Sequence, residues 1–168
     1  GAGGGIGRAT CLRFAAEGLP VVVVNPAFPF GERDIGPTPT GAFIVNMLKG
    51  ELPGYMEGGF NAVDVDDVAE GHVLAEEKGV PGERYILGNH NVTFKEFFDC
   101  VAEVAGLPRL KRRLSRPVML GLSWLMQAYA EKIAHKKPDI TFDTVRYSAG
   151  RRLWFDTDKA HRVLGLPR

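Results

Sequence analysis

The sequence predicts an α/β protein built on a partial parallel sheet and carrying a helical lobe. Three observations lead there. Residues 20–26 read PVVVVNP, four consecutive valines between prolines. A β-branched run that is apolar on both faces marks a parallel strand covered by helices above and below. Strand-like and helix-like segments then alternate along the chain, the pattern of layered α/β folds. Few strands are evident, three or four, where a doubly wound dinucleotide-binding domain usually has about six.

The elements follow in order. Gly7 to Glu17 predicts a helix with a broad apolar face that includes Cys11, Leu12 and Phe14, stopped by Gly18. After the valine strand, residues 26–41 hold Pro26, Pro29, Pro37 and Pro39 with Gly31, Gly36 and Gly41, which predicts a long shaped loop. Phe43 to Lys49 is a short helix closed by Gly50. Phe60 to Val65 is a strand, and Asp66 with Asp67 is expected to cap a helix running to Lys78 and Gly79. Arg84 to Leu87 is a strand. Thr93-x-x-Glu96 is a capping box opening a helix from Phe94 to Ala105, ended by Gly106.

Pro117 to His135 is the longest predicted helix. Val118, Leu122, Leu125, Met126, Tyr129 and Ile133 recur on it at three- and four-residue spacing, a stripe read first as core packing. The alternatives are a wall of a substrate pocket or a helix lying on a membrane surface. Thr141 to Ser148 predicts a further helix and Leu153 to Phe155 a strand. Asp156 then caps a last helix from Thr157 to Leu164, with Gly165 as its stop.

Composition narrows the function classes. A chain of 168 residues suits one domain with a real core. A formal charge of +1 supplies no global basic field, which argues against a nucleic-acid partner. The basic residues cluster once, at Lys111, Arg112, Arg113 and Arg116. That cluster reads as a solvated approach to the following helix, with an anionic ligand or lipid surface as the alternative. Cys11 and Cys100 lie in apolar, helix-like stretches and are expected as reduced, mostly buried thiols. The four histidines are scattered, so no metal site is expected. The apolar region 118–130 is shorter than the ~20 residues that span a bilayer. The glycine-rich opening is unlike a signal peptide, and the expected location is the cytoplasm.

That opening, GAGGGIG, places five glycines in seven residues ahead of the first helix. Glycines at such spacing allow a tight turn and close approach of the backbone to a pyrophosphate, and a helix behind them aims its N–H groups at the phosphates. Gly1, Gly5, Ile6 and Gly7 are therefore candidate cofactor contacts. Two expected companions are missing: no strand precedes the glycines, and Asn25 stands where an acidic residue would read the ribose.

Four segments, in order, carry a more specific signal: LRFAAEGLPVVVVNPAFPFGERDIGPTPTG, FNAVDVDDVAEGHVLA, GERYILGNHNVTFKEFF and LWFDTDKAHRVLGLPR. Over roughly residues 12–168 the chain resembles the C-terminal half of the extended short-chain dehydrogenase/reductases. The similar group is that of the NAD-dependent epimerases and dehydratases, including hopanoid-associated sugar epimerases and dihydroflavonol-reductase-like enzymes. The resemblance implies a Rossmann-like core in which PVVVVNP is the sixth strand. It places Pro26, Ala27 and Phe28 near the nicotinamide of the cofactor, NAD or NADP; Asn25, in the position of the expected acid, is a candidate contact to a ribose hydroxyl. It implies one domain over 1–168 with a substrate-binding lobe from roughly 29–59 and 84–150. In the family a His often stands where Asp64 is found.

Family chemistry is hydride transfer, with a Tyr as general acid/base and a Lys four residues on that lowers its pKa. Tyr55, Tyr85, Tyr129 and Tyr147 are followed at that spacing by Gly59, Asn89, Ile133 and Arg151. No catalytic residue is therefore assigned, and hydride transfer by these residues alone is expected to be impaired. Small molecules (a sugar, ketone or lipid-linked compound) are the expected ligands. A nucleotide sugar is disfavoured because no Arg precedes the Val-Asp-Asp-Val segment. The alternative is a non-catalytic, self-associating module paired through the strand edge at Val21 to Val24.

Overall fold

The computed structural model describes residues 5–36, 38, 40–132, 145–146 and 149–168. In chain order its elements are α1 (Gly5–Ala16), β1 (Val23–Pro26), β2 (Phe28–Phe30), α2 (Gly41–Leu48), β3 (Tyr55–Met56), β4 (Gly59–Asp64), α3 (Val65–Lys78), β5 (Arg84–Leu87), β6 (His90–Thr93), α4 (Phe94–Ala105), β7 (Arg113–Leu114), α5 (Arg116–Lys132), β8 (Arg152–Leu153) and α6 (Asp158–Leu164). They fall into two compact units. The first holds Gly1–Gly31, Ala62–His90 and Phe155–Arg168; the second holds Glu32–Asn61 and Asn91–Trp154.

In the first unit β1 and β5 pair in parallel, with Val23 opposite Arg84 and Pro26 opposite Leu87. Beyond the last pair, Ala27 N–H still donates to the Leu87 carbonyl at 2.8 Å. β2 runs parallel to the end of β4, Phe28 opposite Ala62 and Phe30 opposite Asp64. The core under these strands is Val63, Val68, Ala75, Tyr85, Leu87, Ala160, Leu164 and Leu166, with Val22, Val24, Ala27 and Leu74 packed at its margin. Helix α3 meets β5 where Gly71 sits against the two methyl groups of Leu87, with no room for a side chain of its own. Tyr85 is buried, yet its hydroxyl accepts the Val80 N–H at 3.1 Å. Its ring faces the Lys159 ammonium, which pairs with Glu83. That pairing holds the Glu83 carboxyl below its ordinary range, by hydrogen bond first and charge second.

The second unit is organised by phenylalanines. Phe60 on β4 lies 5.2 Å from both Phe94 and Phe97 of α4, and Phe43 of α2 meets Phe94 edge-on at 5.9 Å. Such tilted and edge-on pairs stabilise beyond the area they bury. β8 pairs in parallel with the start of β4 and β3 with β7. Beside β4, β6 brings Asn91 to Asn61, whose fully buried amide donates to it at 2.9 Å. An interior amide needs such a partner to offset its desolvation.

The capping box at Thr93 forms as the spacing predicts. Thr93 N–H and hydroxyl both donate to Glu96 at 2.8 Å, and Glu96 N–H returns a bond to the threonine oxygen at 3.1 Å. Gly106 ends α4 with φ +66.

Several expectations are corrected. Part of the 26–41 loop is β2, because the phenylalanines flanking Pro29 continue the extended backbone beside β4. The cap of α3 is Asp64, extended at φ −71 and ψ 144 and accepting from Asp66 N–H, so Asp66 and Asp67 sit inside the first turn. β8 stops at Leu153, and Trp154 and Phe155 are exposed. The cysteines are not buried: Cys11 lies on α1, which buries no side chain, and Cys100 is exposed on α4. On α5 the stripe faces outward at Val118, Leu122 and Leu125, while Ser123 on the other side is buried and donates to the Leu120 carbonyl. Periodicity identifies an apolar face but not what the fold sets against it. The side chains of Met126 and Tyr129, all of Ile133, and most of the predicted 141–148 helix lie outside the described residues.

Two predictions follow from these cores. Leu87→Ala leaves a cavity under α3 and should destabilise the first unit by about 2–5 kcal/mol in denaturant titrations. For the capping box, both threonine bonds hold the Glu96 carboxyl below its ordinary value of 4.5, the backbone bond most. A carboxylate with a lowered folded pKa stabilises fully above the ordinary value and loses this contribution as pH falls through the folded one. The thermal midpoint gap between wild type and Glu96→Gln should be open above pH 4.5 and narrow as pH falls below it.

Candidate functional site

Each unit offers one place where backbone and side chains converge. In the first it is the carboxyl end of β1. Parallel α/β sheets bind ligands outside the carboxyl ends of their strands, where the backbone turns away and leaves a crevice. Here the chain leaves β1 at Pro26, is pinned by the Ala27–Leu87 bond, and re-enters extended structure at Phe28. Asn25, Ala27 and Phe28 are half-buried and Pro26 is exposed. Among the described residues the Asn25 amide makes no hydrogen bond, so both its donor and acceptor sides are available. Just beyond, Gly31 lies against the Val65 side chain with no room for a Cβ. At this end Asn25 offers a polar group beside the Pro26, Ala27 and Phe28 stretch.

The glycine segment of the same unit is only partly described, since Gly1 lies outside the described residues. Gly5 opens α1 at φ +55, a conformation that excludes most side chains, and Ile6 is 88 % exposed. The first turn of α1 carries no acidic residue, so its free N–H groups face no built-in counter-charge. These features suit an anionic group. Phe14 and Leu12 are exposed, however, and the apolar face expected to seat this helix buries nothing.

In the second unit a cleft of 690 Å³ opens between β3, β7, β8 and the start of α4. Its volume is that of a small-molecule site, about 300–1,000 Å³. Tyr55 and Met56 form one wall. Lys95, Arg113 and Arg152 bring cations from three separate elements, and among the described residues Glu57 is the single carboxylate of the lining. Arg113 pairs with Glu57 and Lys95 with Asp99, each at 2.5 Å. The Arg152 guanidinium lies 4.9 Å over the Trp154 ring. Gly58 takes φ +117, and any side chain there would strike the Arg151 carbonyl. Sequence reasoning missed this cleft, because its cations come from positions 95, 113 and 152 and no local motif links them.

Among the described residues no cluster of His, Cys, Asp and Glu could hold a metal ion, and no helix is long and apolar enough to cross a membrane. Gly58→Ala should cost the second unit about 1–3 kcal/mol in a denaturant titration, through backbone strain at the rim of the cleft.

Comparison with known proteins gives the family of the chain. No family model matches the chain. It is 35 % identical over 161 residues to a provisionally named dihydroflavonol 4-reductase of Synechocystis sp., covering 94 % of this chain and 46 % of that protein. The crystal structure of gox2253 superposes with a TM-score of 0.72 at 37 % identity, over 96 % of this chain and 48 % of that one. A nucleoside-diphosphate-sugar epimerase from Pseudomonas aeruginosa superposes with a TM-score of 0.61 at 30 % identity, over 94 % and 50 %. The chain thus spans about half the length of the curated relatives it matches. Over most of its own length it belongs to the extended short-chain dehydrogenase/reductases, in their NAD-dependent epimerase/dehydratase group.

Proposed function

We propose that this chain is part of an NAD(P)-dependent epimerase or reductase acting on a small molecule. In this reading the first unit contributes the nicotinamide-proximal strand end and the second unit is the substrate-binding lobe. The observation that carries it is the carboxyl end of β1, where an unpartnered Asn25 amide stands beside Pro26, Ala27 and Phe28 at the place parallel sheets use for ligands. Gly5, Ile6 and Gly7 at the start of α1 would face the cofactor's phosphates. The cofactor would supply the hydride step; these residues would bind and orient it. No Tyr-x-x-x-Lys pair occurs among the residues of the chain, so turnover by residues 1–168 alone is expected to be weak or nil.

The test is a titration of residues 1–168 with NADH and NADPH, followed by energy transfer from tryptophan to the reduced nicotinamide. Binding tighter than about 1 mM, weakened several-fold by Asn25→Ala, is the expected result. No saturation for either cofactor, or equal binding by the variant, sinks the assignment of the strand end. A second reading, a self-associating module, draws on β1 having one strand neighbour among the described residues and on the exposed Ile6, Leu12 and Phe14. Light scattering coupled to size exclusion separates it: a monomer across the micromolar range removes it.

A further inference from the structure

We propose that helix α5 lays the protein on an anionic membrane surface, with its outer face at the headgroup boundary and the basic stretch before it against the lipid phosphates. The polarity of this helix is inverted. In α4 of the same unit Phe94, Phe98 and Ala102 are buried and the charged Lys95 and Glu103 lie outside. In α5 Ser123 is buried and Gln127 half-buried, while Val118, Leu122, Trp124 and Leu125 are exposed. Trp124 and Leu125 leave 64 % and 60 % of their surface open, and a Cβ added at Gly121 would meet nothing within 4 Å. Val118, Leu122 and Leu125 recur at four- and three-residue spacing and so share one face. Single exposed apolar residues are ordinary on a protein surface, but a run of them on one helix face is a patch, and patches mark contact with something other than water.

Charge says what covers this one. From Val104 to Ala130 the sequence holds no Asp or Glu, and its cations, Arg109, Lys111, Arg112, Arg113 and Arg116, all precede the helix or open it. Residues 117–130 carry no charged side chain. The cluster is held at the helix start. β7 pairs with β3, the Arg112 carbonyl accepts the Tyr55 N–H at 3.0 Å, Leu114 is buried, and the Ser115 carbonyl accepts the Met119 N–H at 3.0 Å. Arg109 and Arg113 have exposed partners in Glu103 and Glu57; Lys111, Arg112 and Arg116 are exposed and make no ion pair among the described residues. An uncharged apolar face led by cations matches a surface that is anionic outside and apolar beneath, as in a bilayer containing acidic lipids. Tryptophan suits that boundary, with an apolar ring and a polar N–H. A second copy matches less well. The helix ends in Glu131 and Lys132, which cancel, so neither a parallel nor an antiparallel pair would set the cations against anions. Among the described residues no helix is long and apolar enough to cross a membrane, so α5 lies on the bilayer. This docking does not depend on the cofactor reading and is measured without cofactor.

The experiment is flotation of residues 1–168 with vesicles of phosphatidylcholine, alone or with roughly one-third phosphatidylserine. Binding to the anionic vesicles should be at least about 10-fold tighter than to the neutral ones and should fall as sodium chloride is raised. In Trp154→Phe, Trp124 is the remaining tryptophan. Its emission should move to the blue on binding and be quenched by brominated lipid chains. Leu122→Glu combined with Leu125→Glu should abolish flotation. Lys111→Gln combined with Arg112→Gln should weaken it about 10-fold on anionic vesicles and leave neutral ones unaffected. Circular dichroism checks each fold; should the leucine pair not fold, Val118→Gln and Trp124→Gln carry the comparison. Absence of flotation with the anionic vesicles, Trp124 emission unmoved while the protein floats, or flotation unchanged by the folded apolar-face variants overturns the proposal. A dimer in light scattering that the leucine pair abolishes, with no flotation, overturns it too and gives the face to a second copy.

Discussion

The parallel pairing of β1 with β5 is the constraint on which the first unit depends. A parallel pair cannot be closed by a tight turn, so the chain between the two strands must leave and come back. It does so through residues 32–61 of the second unit and then through the end of β4 and α3. The register is fixed from the β5 side, where Tyr85 and Leu87 are fully buried and cannot slip by one residue without turning outward. Because Leu87 also accepts the Ala27 N–H, the core position of one strand dictates where the other ends. The candidate cofactor contacts at 25–28 are therefore placed by a leucine that would touch no ligand.

The second unit solves a different problem. Its strands are only two to six residues long, and its stability comes from rings packed against rings across β4, α2 and α4. Phe60 and Asn61 are adjacent on β4, one committed to the aromatic core and the other, buried, to an amide bond with the exposed Asn91. This alternation fits a strand enclosed on both faces, with a polar contact specifying the register of its neighbour.

Local chemistry was legible in the sequence and assembly was not. The capping box at Thr93 and the glycine stops at 106 and 165 each depend on a few consecutive residues, and they form as read. The parallel character of the valine strand was equally legible, since a run apolar on both faces admits few other environments. The outward face of α5 was not, because an apolar stripe is the same string of letters whether something covers it or nothing does. Nor was the shift of the α3 cap to Asp64: three acids in four residues are interchangeable on paper, and the backbone angle at the end of β4 chose among them. The cleft was invisible for a third reason. It collects cations across some sixty positions: the β3–β7 and β4–β8 pairings bring Arg113 and Arg152 to the rim, and the start of α4 brings Lys95.

Gly58 carries a consequence for how this lobe can change over time. The turn before β4 closes so tightly on Arg151 that position 58 is barred to every side chain, charged ones included. An arginine at position 58 itself is thus excluded by the backbone. Cations at that rim come instead from α4, β7 and β8. Substitutions at 95, 113 or 152 change the charge of the cleft with the turn untouched, so the scaffold and its charge are under separate control.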